Sequence, residues 1–93
     1  MDPLSAIRKA IEEGRYQFSL HALEEADNDA LAAIDIESAV LTGRLVRTDD
    51  DPLRGPKHVL EGLASDLHAR VGVVTRLRAD GSAVIITVYE VRE

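Results

Sequence analysis

The chain has 93 residues, 45% of them apolar, and a formal charge of −6 at pH 7, which is enough for one core but not for a second unit with its own interior. With no cysteine, disulfides and thiolate metal sites are excluded; with only Tyr16, Phe18 and Tyr89 as aromatics, platforms for base stacking are few. No charged-then-apolar leader opens the sequence and no apolar run approaches the roughly 20 residues of a membrane span, so a cytoplasmic location without a membrane partner is expected.

Pro3 suits the first turn of a helix, and Leu4, Ile7, Ala10 and Ile11 recur at steps of three and four until Gly14. Residues 15–18 read as an extended link in which Tyr16 and Phe18 anchor one side of the core. Ser19 is positioned as an N-cap for a second helix from Leu20, with Leu23, Ala26 and Ala30 inward and Glu24, Glu25 and Asp27 outward. Asp35 can cap a third helix over 36–42, with Ile36, Ala39 and Val40 as its apolar stripe and Gly43 in the left-handed position after the last turn. The stretch 31–34 either joins or separates these two helices.

Beyond Gly43 the hydrophobic period changes from helical to two. Strands are expected over 45–48, 57–64, 68–78 and 83–91, with a polar, proline-bounded loop at 49–56. The sequence therefore predicts a single α+β domain: two or three N-terminal helices in a helical half (1–43) packed on a three- to four-stranded antiparallel sheet (44–93). Charge divides along the same line. Residues 1–51 carry twelve acids and five bases, a net −7, whereas the remainder carries five acids and six bases, a net +1. Phosphate neutralisation dominates non-specific nucleic-acid affinity, so RNA binding is disfavoured by net charge unless the sheet presents a local basic face.

Such a face follows from the hairpin at Asp80-Gly81, a pair suited to the positive φ angles of a tight turn. A two-residue loop sets Leu77 opposite Val84, Thr75 opposite Ile86 and Val73 opposite Val88 on the core face. The other face then pairs Arg76 with Ile85, Val74 with Thr87, Gly72 with Tyr89 and Arg70 with Val91, with Arg78 beside Ala83. A three-residue loop with a bulge would shift this parity. Three arginines and a tyrosine on one surface suit phosphate or carboxylate, although solvated arginines paired to Glu61 or to helix acids would look the same in sequence.

Other chemistry finds little support. His21, His58 and His68 lack the converging spacing of a zinc site, so no metal is assigned. The run Asp49, Asp50 and Asp51 lacks the alternating oxygen ligands of a calcium loop, the glycines form no phosphate-binding motif, and no serine lies in a nucleophile elbow.

Ser19-Leu20-His21-Ala22, Asp35-Ile36, Gly43, Leu60-Glu61-Gly62 and Thr87-Val88-Tyr89-Glu90 resemble, in order and spacing, the bacterial family called domain of unknown function 4258. The resemblance covers most of the chain and implies kinship with the RelE/ParE-like toxin superfamily, small α+β domains that include ribonucleases cutting messenger RNA and gyrase inhibitors. It implies a metal-independent ribonuclease without a cofactor. In that reading His21 is acid or base, Tyr89 assists, Arg70 or Arg76 stabilises phosphate charge, and Arg78, Thr87 and Ser19 bind. A protein antitoxin or a second copy would be the partner.

Two departures favour the alternative of a non-catalytic interaction module that keeps a toxin-like fold. Glu25 and Ala26 stand where the family often has arginine and methionine, and the chain is acidic where RelE-like nucleases are basic. On this alternative Ser19 and His21 simply cap and fix the second helix against Tyr16 or the sheet.

Overall fold

Asp2 accepts the amide of Ser5 at 2.9 Å and Pro3 follows it, so the first helix, α1 (Pro3–Glu12), begins where expected in the computed structural model, which describes residues 1–92. Its stripe of Ile7, Ala10 and Ile11 is buried. The next segment corrects the sequence reading: Tyr16–Phe18 is a strand, β1, lying parallel to the last strand. No three-residue run carries enough periodicity to be read as a strand alone; β1 exists because its partner offers a free edge.

Ser19 caps α2 (Leu20–Asn28) through Ala22 N–H at 3.0 Å. The buried residues of α2 are Ala22 and Ala26, while Leu23 and Ala30 are exposed, contrary to the expected inward stripe. Ala30 takes a left-handed φ of 54°, which ends the helix and separates it from α3 (Ala33–Thr42). Asp35 is not the N-cap of α3. It sits one turn in and reaches back to accept the Ala32 amide at 2.9 Å, while its other oxygen accepts from Ser65. The Ser65 hydroxyl first, then these amides, hold the Asp35 carboxyl below the usual range.

The strands β2 (Arg44–Asp49), β3 (Lys57–Leu63), β4 (Arg70–Leu77) and β5 (Ala83–Glu90) complete a five-stranded mixed sheet of order β1-β5-β4-β3-β2, antiparallel except at β1. The α+β class holds, with five strands in place of three or four. All three helices among the described residues pack on one face, over a core that includes Leu60, Val71, Val73, Ile85 and Val88.

Gly43 is extended (φ −86°, ψ −173°), not left-handed as the helix-end pattern predicts. Its smallness has another cause. A Cβ on Gly43 would lie 2.4 Å from the Ala39 carbonyl oxygen, and one on Gly62 would lie 2.0 Å from that same oxygen. The last turn of α3 therefore rests directly on the backbone of β3. Arg8 secures the junction by donating to the Val40 and Gly43 carbonyls, and Thr42 Oγ1 accepts the Leu63 amide at 2.9 Å.

The hairpin between β4 and β5 has a three-residue loop: Arg78 N–H donates to Ser82 at 2.8 Å, and Gly81 supplies φ 88°. Leu77 then faces Ala83, Arg76 faces Val84 and Thr75 faces Ile85, each one residue from the expected register. Ile86 is an extra residue in β5, and beyond it Val74 faces Thr87, Val73 faces Val88 and Gly72 faces Tyr89, as a two-residue loop would have given.

On the helix side, a row runs Thr48, His58, Thr75, Ile85 and Phe18 across all five strands. His58 is buried with Nδ1 3.0 Å from Thr48 Oγ1, and Thr75 Oγ1 is buried with no hydrogen-bond partner among the described residues. Burial pushes the His58 pKa below 6.5.

Two consequences are measurable. Gly62→Ala must prise α3 from β3, and a loss on the order of 2 kcal/mol or more is expected from denaturant unfolding; an unchanged midpoint would refute the contact. For His58, folding favours the neutral ring, so the unfolded chain takes up the proton first. Its stabilising effect is complete above 6.5 and declines as pH falls from there towards the lower folded-state value. Unfolding compared at about pH 7.5 and about pH 5.5 should show a drop that His58→Gln reduces.

Candidate functional site

Because the helices occupy one face, the other face of the sheet is left to side chains alone. At one end of it, four directly opposed residues form a row across four strands: Arg44 on β2, Glu61 on β3, Gly72 on β4 and Tyr89 on β5. Arg70 joins the row diagonally, with Nη2 3.2 Å from Glu61 Oε1. Arg44, Glu61 and Arg70 line a groove of about 300 Å3 together with Thr42, Gly43, Gly62 and Leu63. The contact between α3 and β3 thus brings the two sides of this groove together.

Gly72 gives the row its form. A Cβ there would fall 2.1 Å from Tyr89 Cζ and 2.4 Å from Cε2, so the hydroxyl-bearing end of the ring lies over Gly72. Glu61 is the cross-strand neighbour of Gly72, about 5 Å away between Cα atoms. A carboxylate, a phenol and two guanidinium groups therefore share one end of the face. The Tyr89 hydroxyl and the Arg44 guanidinium make no hydrogen bond or ion pair among the described residues.

The expected site residues divide among three places. Arg70 and Tyr89 belong to the row just described. Thr87 lies in the adjacent row, Arg47, Val59, Val74 and Thr87, where Val59 is buried although it faces away from the helices. Arg76 and Arg78 lie at the far end of β4, with Arg76 roughly 20 Å along the strand from Arg70. Arg76 Nη2 is 3.3 Å from Asp51 Oδ2, its Nε is buried without a partner among the described residues, and Arg78 Nη2 meets Gln17 Oε1 at 3.2 Å. Asp51, one of the acidic run, has its carboxyl held low mainly by the Leu53 amide, with Arg54 N–H, Arg76 and Lys57 adding to it.

Ser19 and His21 stand at the outer edge of β5. β1 covers this edge only as far as Ile85; from there α2 replaces a strand with side chains. Ser19 Oγ donates to the Ile86 carbonyl at 2.9 Å, Glu25 Oε1 accepts the Val88 amide at 3.3 Å, and Asp29 Oδ2 accepts the Glu90 amide at 3.0 Å. His21, largely exposed, places Nε2 3.2 Å from Glu25 Oε1. The anion at position 25, read from sequence as an outward charge, is half-buried and bound to the sheet.

Sequence reasoning named Glu61 only as a counter-ion for arginine and left Arg44 without a role. The signal was present in Leu60-Glu61-Gly62, where an acid alternates with inward Leu60 on a strand and so must face outward. What period two could not supply was the register that sets Arg44 and Tyr89 on the same row.

No cluster of three or more His, Asp or Glu side chains among the described residues is arranged to hold a metal ion, and no helix among them is long and apolar enough to cross a membrane. Comparison with curated proteins and with solved structures returned no match. The family described as Domain of unknown function (DUF4258) matches residues 18–90, which include α2, α3, β2 to β5 and every residue of the Arg44, Glu61, Gly72 and Tyr89 row. The chain belongs to the DUF4258 family.

Proposed function

We propose that the helix-free end of the sheet is a metal-independent ribonuclease site of the kind found in RelE/ParE-like toxins. The supporting observation is the row itself, which gathers a carboxylate, two guanidinium groups and a phenol at one end of the open face.

Glu61 takes the proton of a ribose 2′-hydroxyl, and the 2′-oxygen attacks the adjacent phosphorus. Arg70 and Arg44 stabilise the negative charge that builds on the phosphoryl oxygens. Tyr89 donates its proton to the departing 5′-oxygen. The products are a 2′,3′-cyclic phosphate and a 5′-hydroxyl, and the proton taken up by Glu61 is returned to solvent with Tyr89 reprotonated. Arg76, Arg78 and Thr87 extend the same face and would hold flanking phosphates. His21, tied to Glu25 at the edge, serves in this reading to orient the carboxylate that closes the β5 edge.

The alternative of a non-catalytic module draws on the pairs already formed, Arg70 with Glu61 and Arg76 with Asp51, together with the net negative charge. Catalysis separates the two. The purified chain, offered short single-stranded RNA, should release cyclic-phosphate ends detectable by mass spectrometry. Glu61→Gln should slow cleavage by about 100-fold or more, and Arg70→Ala and Tyr89→Phe should each slow it too, with folding unchanged. Equal rates for wild type and Glu61→Gln, or RNA bound without cleavage, would remove the ribonuclease assignment and leave the binding module.

A further inference from the structure

α2 presents two sides. Ala22 and Ala26 face the core, while Glu25 and Asp29 hold the edge of β5. Its other stripe is Leu20, Leu23, Glu24 and Asp27, at helical offsets of three, four and seven. A solvated stripe is ordinarily polar throughout, yet Leu20 and Leu23 are 73% and 50% exposed, and Ile34, in the first turn of α3, is 62% exposed. Between α2 and the start of α3 lies a groove of about 190 Å3, with Phe18, Leu31 and Ile36 as its floor and Leu23 and Asp27 on its wall.

Charge defines what this groove would accept. Residues 20–37 contain six acids and no lysine or arginine. Four of the acids are engaged: Glu25 and Asp29 with β5 amides, Asp35 with Ser65 and Ala32, and Glu37 with the Tyr16 hydroxyl. The carboxylates of Asp27, which lines the groove, and of Glu24, three residues before it on the same stripe, make no hydrogen bond or ion pair among the described residues. An apolar floor with the unpaired Asp27 carboxylate on its wall, and Glu24 next along the same stripe, repels phosphate. A second copy docked by a two-fold contact would set the same acidic patch against itself.

We propose that this groove binds a basic, amphipathic peptide segment of a partner protein, whose apolar side chains enter beside Leu23 and Leu31 and whose lysines or arginines pair with Glu24 and Asp27. The groove lies on the helical side and uses none of the residues of the Glu61 row. The proposal therefore stands independently of the ribonuclease reading, and either can fail alone.

The test is an NMR titration of the 15N-labelled full chain with a synthetic helix of leucine and lysine at amphipathic spacing, against a scrambled peptide of the same composition. The expected result is saturable shift changes centred on residues 18–37, absent with the scrambled control. The double substitution Glu24→Lys and Asp27→Lys should weaken binding by about tenfold or more and should restore it for a peptide carrying glutamate in place of lysine. These side chains are exposed, so an unchanged spectrum elsewhere reports an intact fold. Equal response to the scrambled peptide, shifts centred on the Glu61 face, indifference to the charge reversal, or a dimer dispersed by it would each overturn the proposal.

Discussion

The contact of α3 with β3 at Ala39, Gly43 and Gly62 is backbone against backbone, and the functional geometry descends from it. Helix and sheet ordinarily keep about 10 Å between them, the depth of one layer of side chains. Removing the Cβ atoms at two positions lets the end of α3 settle onto β3, where Arg8 donates to the Val40 and Gly43 carbonyls that the helix terminus leaves unpaired and Thr42 Oγ1 accepts the Leu63 amide of β3. The chain then leaves α3 directly into β2, so Arg44 starts its strand opposite Glu61. A bulkier junction would move Arg44 out of register with the acid it faces. The groove beside Glu61 is in this sense a by-product of close packing on the opposite face.

The second constraint is the outer edge of β5, whose amides must be satisfied along its length. β1 does this as far as Ile85, and α2 does it with side chains from Ile86 onward. The bulge at Ile86 sits where one cover gives way to the other. It also decides where Tyr89 points. With the three-residue loop alone, Tyr89 would face Val71 and turn towards the helices; the extra residue reverses the parity, so Tyr89 lies over Gly72 on the open face. Two departures from regular geometry cancel, and the aromatic ring ends up beside Glu61.

This cancellation explains what sequence could and could not disclose. Ser19 as an N-cap and the strands around Asp80-Gly81 are local events, governed by residues within a turn of one another, and they were legible. The pairing of Gly72 with Tyr89 was also read, but for a reason that the turn itself contradicts. β1 was illegible because three residues become a strand only when a distant edge accepts them. Gly43 was misread for a related reason: a glycine after a helix signals a left-handed cap unless something comes too close, and Glu61 of β3 is not visible from position 43. Leu23 was assigned inward because periodicity fixes the angle between residues, not which of two stripes meets the core. Alanines won the core side of α2 because the helix lies close enough to β5 for Glu25 and Asp29 to reach its amides.

Acidity, the feature that most opposes an RNA-binding role, changes meaning once the acids are located. Glu25 and Asp29 accept hydrogen bonds from amides of β5, Asp35 accepts from Ser65, and Asp51 pairs with Arg76, so many of the acids are committed to internal partners. Of the two α2 acids with no internal partner, Asp27 lines an apolar groove on the helical side and Glu24 stands on the same stripe. Between charges in water, interaction fades over about a Debye length, roughly 8 Å at physiological ionic strength, so a groove on one side and a guanidinium pair across the sheet act nearly independently. Net charge sums over both. It describes neither the basic end of the open face, where Arg44 and Arg70 flank a single carboxylate, nor the groove where anions stand unopposed. The two proposed surfaces, one for phosphate and one for a cationic peptide, are therefore compatible within one small acidic domain, because a sheet with helices on only one side keeps them apart.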